Sequence, residues 1–412
     1  MQFRNIFVLL RCFQPSYSFM ESLYKTHQYL MEHLDIPLRR KLMDEIDWSD
    51  RLIAIKGSRG VGKTSFLLQY AKEHFHPSDK ACLYINLNNF YFSVKTLQNF
   101  AREFRMKGGK VLLFDQVFKY PNWASELSYC YEHFPDLQII FTGSSVLQLQ
   151  DEQSPLIHKV VSYNLNGFSF REFLELQTGC KFPSYSLSEI LQSHTEIAKQ
   201  ITALVKPLAY IDDYFCHGFY PFHLEKRNFS ENLLKTMNMM LEIDVMIIHQ
   251  IERSYLSKLR KLLYLLSITA PGSPNISQLS VDIDTSRATV MNYIKYLKDA
   301  RLVDLLYSED EDFSKKPEKV YLQNPNLLHV TRMNPVERQA LCETFFYNQL
   351  QKDYPVNASD QDCHFLVDGR YPFCVGEPLR GELNPEMYYA MDGIEAGEAQ
   401  RLIPLWLFGF LY

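Results

Sequence analysis

The chain has 412 residues, 46% hydrophobic and 22% charged, with 43 Lys and Arg against 48 Asp and Glu for a formal net charge of -5. At about 150 residues per domain that is enough for two or three globular domains, and the composition excludes a disordered tail, a collagen-like fibre and a coiled coil. No apolar run reaches the ~18–20 residues of a membrane-spanning helix, the acidic balance excludes a uniformly basic nucleic-acid coat, and the 8 scattered cysteines form no C-x-x-C pair, which argues for reduced thiols in a cytoplasmic protein over a zinc ribbon or disulfide scaffold.

Residues 1–19 read as an N-terminal extension. Their apolar stretch Ile6-Phe7-Val8-Leu9-Leu10 lies between Arg4 and Arg11, is too short for a signal peptide and has no small-residue cleavage site after it. Residues 20–46 have helical spacing at Leu23, Leu30, Leu34 and Leu42. Strand-like apolar runs follow at 51–56, 81–86, 110–114 and 137–142, with helical segments such as 64–75 and 94–106 between them. Buried strands alternating with helices predict an α/β core with a parallel sheet covered on both faces.

The run Arg51-Leu52-Ile53-Ala54-Ile55-Lys56 leads into Gly57-Ser58-Arg59-Gly60-Val61-Gly62-Lys63-Thr64, a full G-x-x-x-x-G-K-[ST] match with a strand before it and a helix opening inside it. Glycines let the backbone curl so that successive N–H groups point at phosphate oxygens, and the helix dipole adds positive potential. Gly57, Ser58, Arg59, Gly60, Val61, Gly62, Lys63, Thr64 and Ser65 are therefore predicted to cradle a nucleotide's phosphates. Lys63 is expected to reach the β- and γ-phosphates, and the Thr64 hydroxyl to ligate Mg²⁺. Asp115, ending the apolar strand Val111-Leu112-Leu113-Phe114, is expected to hold the same magnesium. Gln116 follows as the water-positioning residue. The strand Ile139-Ile140-Phe141 ends in Thr142-Gly143-Ser144-Ser145; Thr142 or Ser144 either orients a water beside the γ-phosphate or is an ordinary turn residue.

Beyond residue 161 the alternation stops. Segments 170–177, 188–205 and 231–251 read as helices. Residues 254–307 hold three short helices (261–268, 276–283 and one capped by Thr285 or Ser286 that runs to 298) and then wing-like strands at 301–306, the spacing of a helix-turn-helix. Arg287, Thr289, Asn292 and Lys295 are the candidates for a DNA groove, although the whole segment is slightly acidic, which opposes tight phosphate binding. The acidic stretch 308–312 and Ser314-Lys315-Lys316-Pro317 read as an exposed turn. A helix over 335–352 and strands over 363–367, 371–375 and 401–410 close the chain, with 406–412 read as a core-packing strand.

Together the phosphate loop, the Asp115 strand and the 139–145 strand resemble the prokaryotic AAA-like ATPases in which a P-loop core precedes a winged helix and a restriction-endonuclease-like domain. Tyr120-Pro121-Asn122-Trp123, Phe168-Ser169-Phe170-Arg171-Glu172-Phe173 and Gly218-Phe219-Tyr220-Pro221 extend the resemblance over most of the chain from residue 20 onward. It implies an additional-strand P-loop sheet at 20–165, a helical lid at 166–253, a winged helix at 254–312 and a small α+β nuclease-like domain at 313–412. It also implies ATP as the ligand; no N-K-x-D-like guanine signal contradicts that. AAA-type ATPases usually carry Glu where this chain has Gln116. An amide orients water but cannot accept its proton, so Mg·ATP binding with slow turnover is expected. The family's arginine is hard to place; Arg171 is a candidate, against an ordinary salt bridge. In the nuclease-like segment Glu343 sits as expected, but His364 and Cys374-Val375-Gly376 replace the further acid and E-x-K, too few hard ligands for a catalytic metal. A DNA-interacting protein with structural nucleotide, and a residual nuclease, are the rival expectations. The protein partner is left open.

Overall fold

The computed structural model describes residues 19–147, 149, 154–225, 228–246, 249–309, 315–359, 363–376, 384–397 and 400–412. The predicted extension, apart from Phe19, and residues 310–314 of the predicted exposed turn lie outside these.

The first unit comprises α1 (Phe19–His33), α2 (Leu42–Glu45), β1 (Leu52–Gly57), α3 (Lys63–His74), β2 (Cys82–Asn86), α4 (Leu97–Met106), β3 (Val111–Asp115), α5 (Trp123–His133), β4 (Gln138–Ser144) and β5 (Val161–Asn164). The expected helix over 20–46 is two helices. Pro37 disfavours helical geometry at Ile36, and residues 34–40 run as an irregular segment. The five strands form one sheet in the order β2-β3-β4-β1-β5, with every pairing parallel. β4 lies between the loop-bearing β1 and the acid-bearing β3. Strand residues alternate between two cores as the pleat requires. Ile53, Ile55, Leu113 and Ile140 face the side of α3 and the helical region. Leu52, Ala54, Leu112, Phe114, Ile139 and Phe141 face α1, α4 and α5. With both faces covered, the strands read as continuous apolar runs.

The chain then enters α6 (Phe170–Thr178), α7 (Leu187–Thr202), α8 (Leu208–Asp213) and α9 (Phe229–Met239). Both α8 and α9 continue into a wide turn of π-helical type, Tyr214–Gly218 and Met240–Val245 respectively. Ser169 caps α6 in a reciprocal capping box with Glu172. Glu172 is buried and pairs with Arg40 at 3.0 Å. Arg40 also donates to the carbonyls of Val61, Asn166 and Gly167, so the Phe168–Phe173 motif braces the phosphate loop from behind.

Next come α10 (Leu256–Thr269), α11 (Ile276–Asp282) and α12 (Arg287–Asp299), then the antiparallel ribbon β6 (Val303–Leu306) with β7 (Lys319–Leu322). Gly272 bridges to Val320 and adds a third strand position. Ser286, not Thr285, caps α12. The ribbon's second strand, β7, lies beyond residue 312, the expected end of this segment, and pairs with β6 across residues 307–318. The remaining chain forms α13 (Pro325–Thr331), α14 (Arg338–Leu350) and a second sheet. That sheet is built from β8 (Val356–Asn357), β9 (Phe365–Val367), β10 (Tyr371–Gly376), β11 (Tyr388–Met391) and β12 (Leu402–Pro404), in chain order from one edge to the other. Residues 405–410, expected as strand, are a 3₁₀ helix. An unbroken apolar run has no period to tell the two apart. Among the described residues no helix is long and apolar enough to cross a membrane.

Candidate functional site

A cavity of about 520 Å³ opens at the carboxyl edge of the parallel sheet. The loop between β1 and α3 forms its floor. Gly60 and Gly62 adopt positive φ of 88° and 92°, a backbone that side chains with a Cβ rarely take. All the predicted loop residues from Gly57 to Ser65 line the cavity except Ser58, and Asp115, Gln116 and Thr142 line it too. The fold thus brings predicted residues from three separate strand ends to one cavity.

Asp115 is the hub. It is 1% exposed. Its Oδ2 accepts hydrogen bonds from Thr64 Oγ1 and Tyr84 OH, each 2.8 Å, and its Oδ1 accepts from Thr142 Oγ1. Thr142 in turn accepts from the Gln116 backbone N–H at 3.0 Å, which fixes Gln116 in the left-handed region with φ 58°. Thr142 thus positions both residues of the Asp-Gln pair from the intervening strand. Ser144 is buried, lines the cavity and accepts a long bond from the Val146 N–H at 3.4 Å.

Lys63 Nζ donates to the Gly57 and Ser58 carbonyls at 2.9 and 2.7 Å. Burial pulls its ammonium down from 10.5 to about 8; Asp244 and Asp115 oppose the drop and Arg59 adds to it. The oxygen donors Thr64 and Asp115 suit a hard cation such as Mg²⁺, since a hydroxyl that gives its proton to the aspartate keeps lone pairs for a metal. Among the described residues no group of three or more His, Cys, Asp or Glu converges, so such a cation would draw most of its shell from phosphate and water.

Three contacts were not legible in the sequence. Arg59, third in the loop, pairs with Asp244 of the second wide turn, 2.9 Å apart; the residues are 185 positions apart in the chain, with no local pattern linking them. Pro221 and Phe222 pack on the loop glycines: a Cβ built on Gly60 would lie 2.9 Å from the Phe222 ring. Gln69 of α3 also lines the cavity.

Arg171 does not reach the cavity. Its side chain is buried, bonded to Glu175 and to the backbone oxygen of Tyr412. It makes the ordinary salt bridge, in the interior. In the second sheet, the Glu343 carboxylate is occupied by Lys319, Tyr321 and Gln339, with His364 Nε2 at 3.8 Å. Burial pushes its carboxyl up, but Lys319 and His364 together with the hydrogen bonds from Gln339 and Tyr321 outweigh that, and the net shift is downward. Cys374 is buried against Met387. On α12, Arg287, Asn292 and Lys295 are exposed and Thr289 is half-buried.

The inserted strand and the glycine loop at the sheet's carboxyl edge define the core as a P-loop NTPase fold. Residues 49–174 match the family model of an AAA domain. Residues 208–337 match the model of a domain of unknown function, DUF8612. The chain is similar to two uncharacterized proteins of Methanocaldococcus jannaschii, MJ1637 (25% identity over 67% of this chain and 61% of that protein) and MJ1544 (25% over 68% and 62%). It therefore spans about three-fifths of the length of the curated relatives it matches. Among solved structures, C. elegans PCH-2 aligns with a TM-score of 0.24 and 14% identity over 68% of this chain and 66% of that one. A DNA polymerase III gamma subunit-related protein of Thermotoga maritima aligns at 0.25 and 12% over 68% and 97%. Both scores are too low to define a shared overall architecture.

Proposed function

We propose that the chain binds Mg·ATP in this cavity and hydrolyses it slowly, with nucleotide binding moving the modules that follow the core. The arrangement at the sheet edge carries the reading. Lys63 and the loop amides take the phosphates, Thr64 and Asp115 hold the magnesium, and Gln116 orients a water whose proton it cannot accept. The Arg59–Asp244 pair and the Pro221–Phe222 contact tie the loop to the helical region, which supports a nucleotide-dependent rearrangement.

We read the three helices and ribbon of residues 256–322 as a winged helix, and the last sheet as a nuclease-like fold without cleavage activity. A lysine and a histidine, not further carboxylates, surround Glu343, a poor donor set for a hard catalytic cation. The exposed α12 residues Arg287, Asn292 and Lys295 keep DNA as the rival partner, with the segment's acidic balance against it.

Titration calorimetry with Mg·ATP and Mg·ADP tests the reading. Heat is expected from the wild type and none from Lys63→Ala. No heat from the wild type with any nucleoside triphosphate refutes it. Salt-dependent DNA binding that Lys63→Ala leaves intact would favour the rival.

A further inference from the structure

The cavity extends beyond the phosphate cradle. Helix α3 begins at Lys63, and at 1.5 Å per residue it carries position 69 about 9 Å along its axis, a span comparable to the ribose and α-phosphate that separate a base from its β-phosphate. Ser65 and Gln69 stand four residues apart on one face of that helix, and both line the cavity. The wall beside Gln69 comes from the segment joining α1 and α2. Leu34 accepts a hydrogen bond from Lys72, three residues past Gln69, and Leu34, Ile36 and Pro37 present apolar surface to the cavity. Gln69 itself is 7% exposed, and its amide makes no hydrogen bond to a described residue. Its amide N and O keep accessible surface and open onto the cavity that the residue lines.

Apolar walls and one donor–acceptor pair suit a flat heteroaromatic base. An amide offers an N–H and a C=O side by side, the complement of adenine's N6–H donor next to its N7 acceptor; the matching edge of guanine presents two acceptors, O6 and N7. We propose that Gln69 is the specificity-determining residue of the site, reading adenine and rejecting guanine. The proposal rests on the nucleotide reading above and goes beyond it by assigning the side chain that selects the base.

The test titrates Mg·ATP, Mg·GTP and Mg·tripolyphosphate into the full chain and into Gln69→Leu and Gln69→Glu. The wild type is expected to prefer ATP over GTP by about tenfold or more. Gln69→Leu removes that preference, chiefly by losing ATP affinity, and Gln69→Glu, which can accept from N6 but cannot donate, weakens ATP by less. Tripolyphosphate binds all three alike. The amide has no described partner to lose, so Gln69→Leu is expected to melt at or above the wild-type temperature. An ATP:GTP ratio that is near one in the wild type, or unchanged in Gln69→Leu, overturns the proposal and leaves the nucleotide site standing. A lowered melting temperature in Gln69→Leu overturns it in favour of a structural role. A wild type that binds none of the three ligands overturns the nucleotide reading itself, and the proposal falls with it.

Discussion

Raising the pH is expected to weaken Mg·ATP binding, and Lys63 sets by how much. Its ammonium, pulled down to about 8 by burial, is neutral in much of the protein above that pH. A polyphosphate against Nζ favours the charged form, so binding takes up a proton wherever the lysine started neutral. Below pH 8 the lysine is charged before and after binding, and this contribution is flat. Above pH 8 affinity falls, by up to about tenfold per unit, until the bound lysine's own higher pKa is reached. At pH 9 about nine-tenths of the lysine is neutral before binding, so affinity should be about tenfold below its value at pH 7, with ~0.9 proton taken up per nucleotide. Calorimetry at both pH values in buffers of different ionisation enthalpy reads that number from the slope. Lys63→Arg, charged throughout, should flatten the profile. The folding equilibrium has its own signature: an unfolded lysine near 10.5 holds more protons than the folded one between about pH 8 and 10.5, so this group makes stability rise with pH across that window. Zero proton uptake at pH 9 with undiminished affinity would refute the placement of Lys63 against the phosphates.

Gln116→Glu gives the attacking water a proton acceptor; phosphate release should rise by about tenfold or more with ATP affinity little changed, and an equal rate would show that Gln116 does not limit turnover. Arg59→Ala strands the buried Asp244 carboxylate and should cost about 2–4 kcal/mol in urea unfolding; Asp244→Ala in the same chain should recover part of it, whereas strictly additive losses would deny the coupling. Asn326, fully buried, donates to the Tyr214 and Phe215 carbonyls and accepts from the Phe219 N–H. Asn326→Ala should cost about 2–4 kcal/mol and speed amide exchange at 214–222; unchanged exchange there would show that Asn326 does not hold the segment.

The parts of this molecule that the sequence announces are those where local chemistry and tertiary role coincide. β1, β3 and β4 are buried on both faces and stand out as apolar runs, and the loop needs glycine where φ is positive, so Gly60 and Gly62 mark themselves. The capping box at Ser169 is written within four residues. Legibility fails where the deciding interaction is remote or aperiodic. Residues 34–40 carry a helical pattern that Pro37 interrupts. Residues 405–410 are apolar at every position and show no period. The ribbon's second strand follows a run of acidic residues that reads as an exposed turn. Gln69 is one polar residue in a helix whose neighbours Phe66, Leu67, Leu68 and Tyr70 are all buried; only the folded cavity shows that its amide has no internal partner.

The connection between the loop and the rest of the chain has a common construction at both contacts. The first wide turn, Tyr214–Gly218, delivers Pro221 and Phe222 onto Gly60 and Gly62; the second, Met240–Val245, contains the Asp244 that pairs with Arg59. Wide turns of this kind inside helices recur at functional sites, because the extra residue re-aims the chain at the cost of regular hydrogen bonding. Here each re-aims a helix end onto the phosphate loop. The first is also held from the opposite side by Asn326, next to the Asn324 cap of α13, and α13 follows directly on the ribbon strand β7. A nucleotide that competes for Arg59, or displaces Phe222 from Gly60, therefore acts on turns whose other contacts include α10, α12 and α13. On the proposed function, binding energy spent there favours a state in which those turns have moved, and that is what the proposed coupling between this site and the later modules requires.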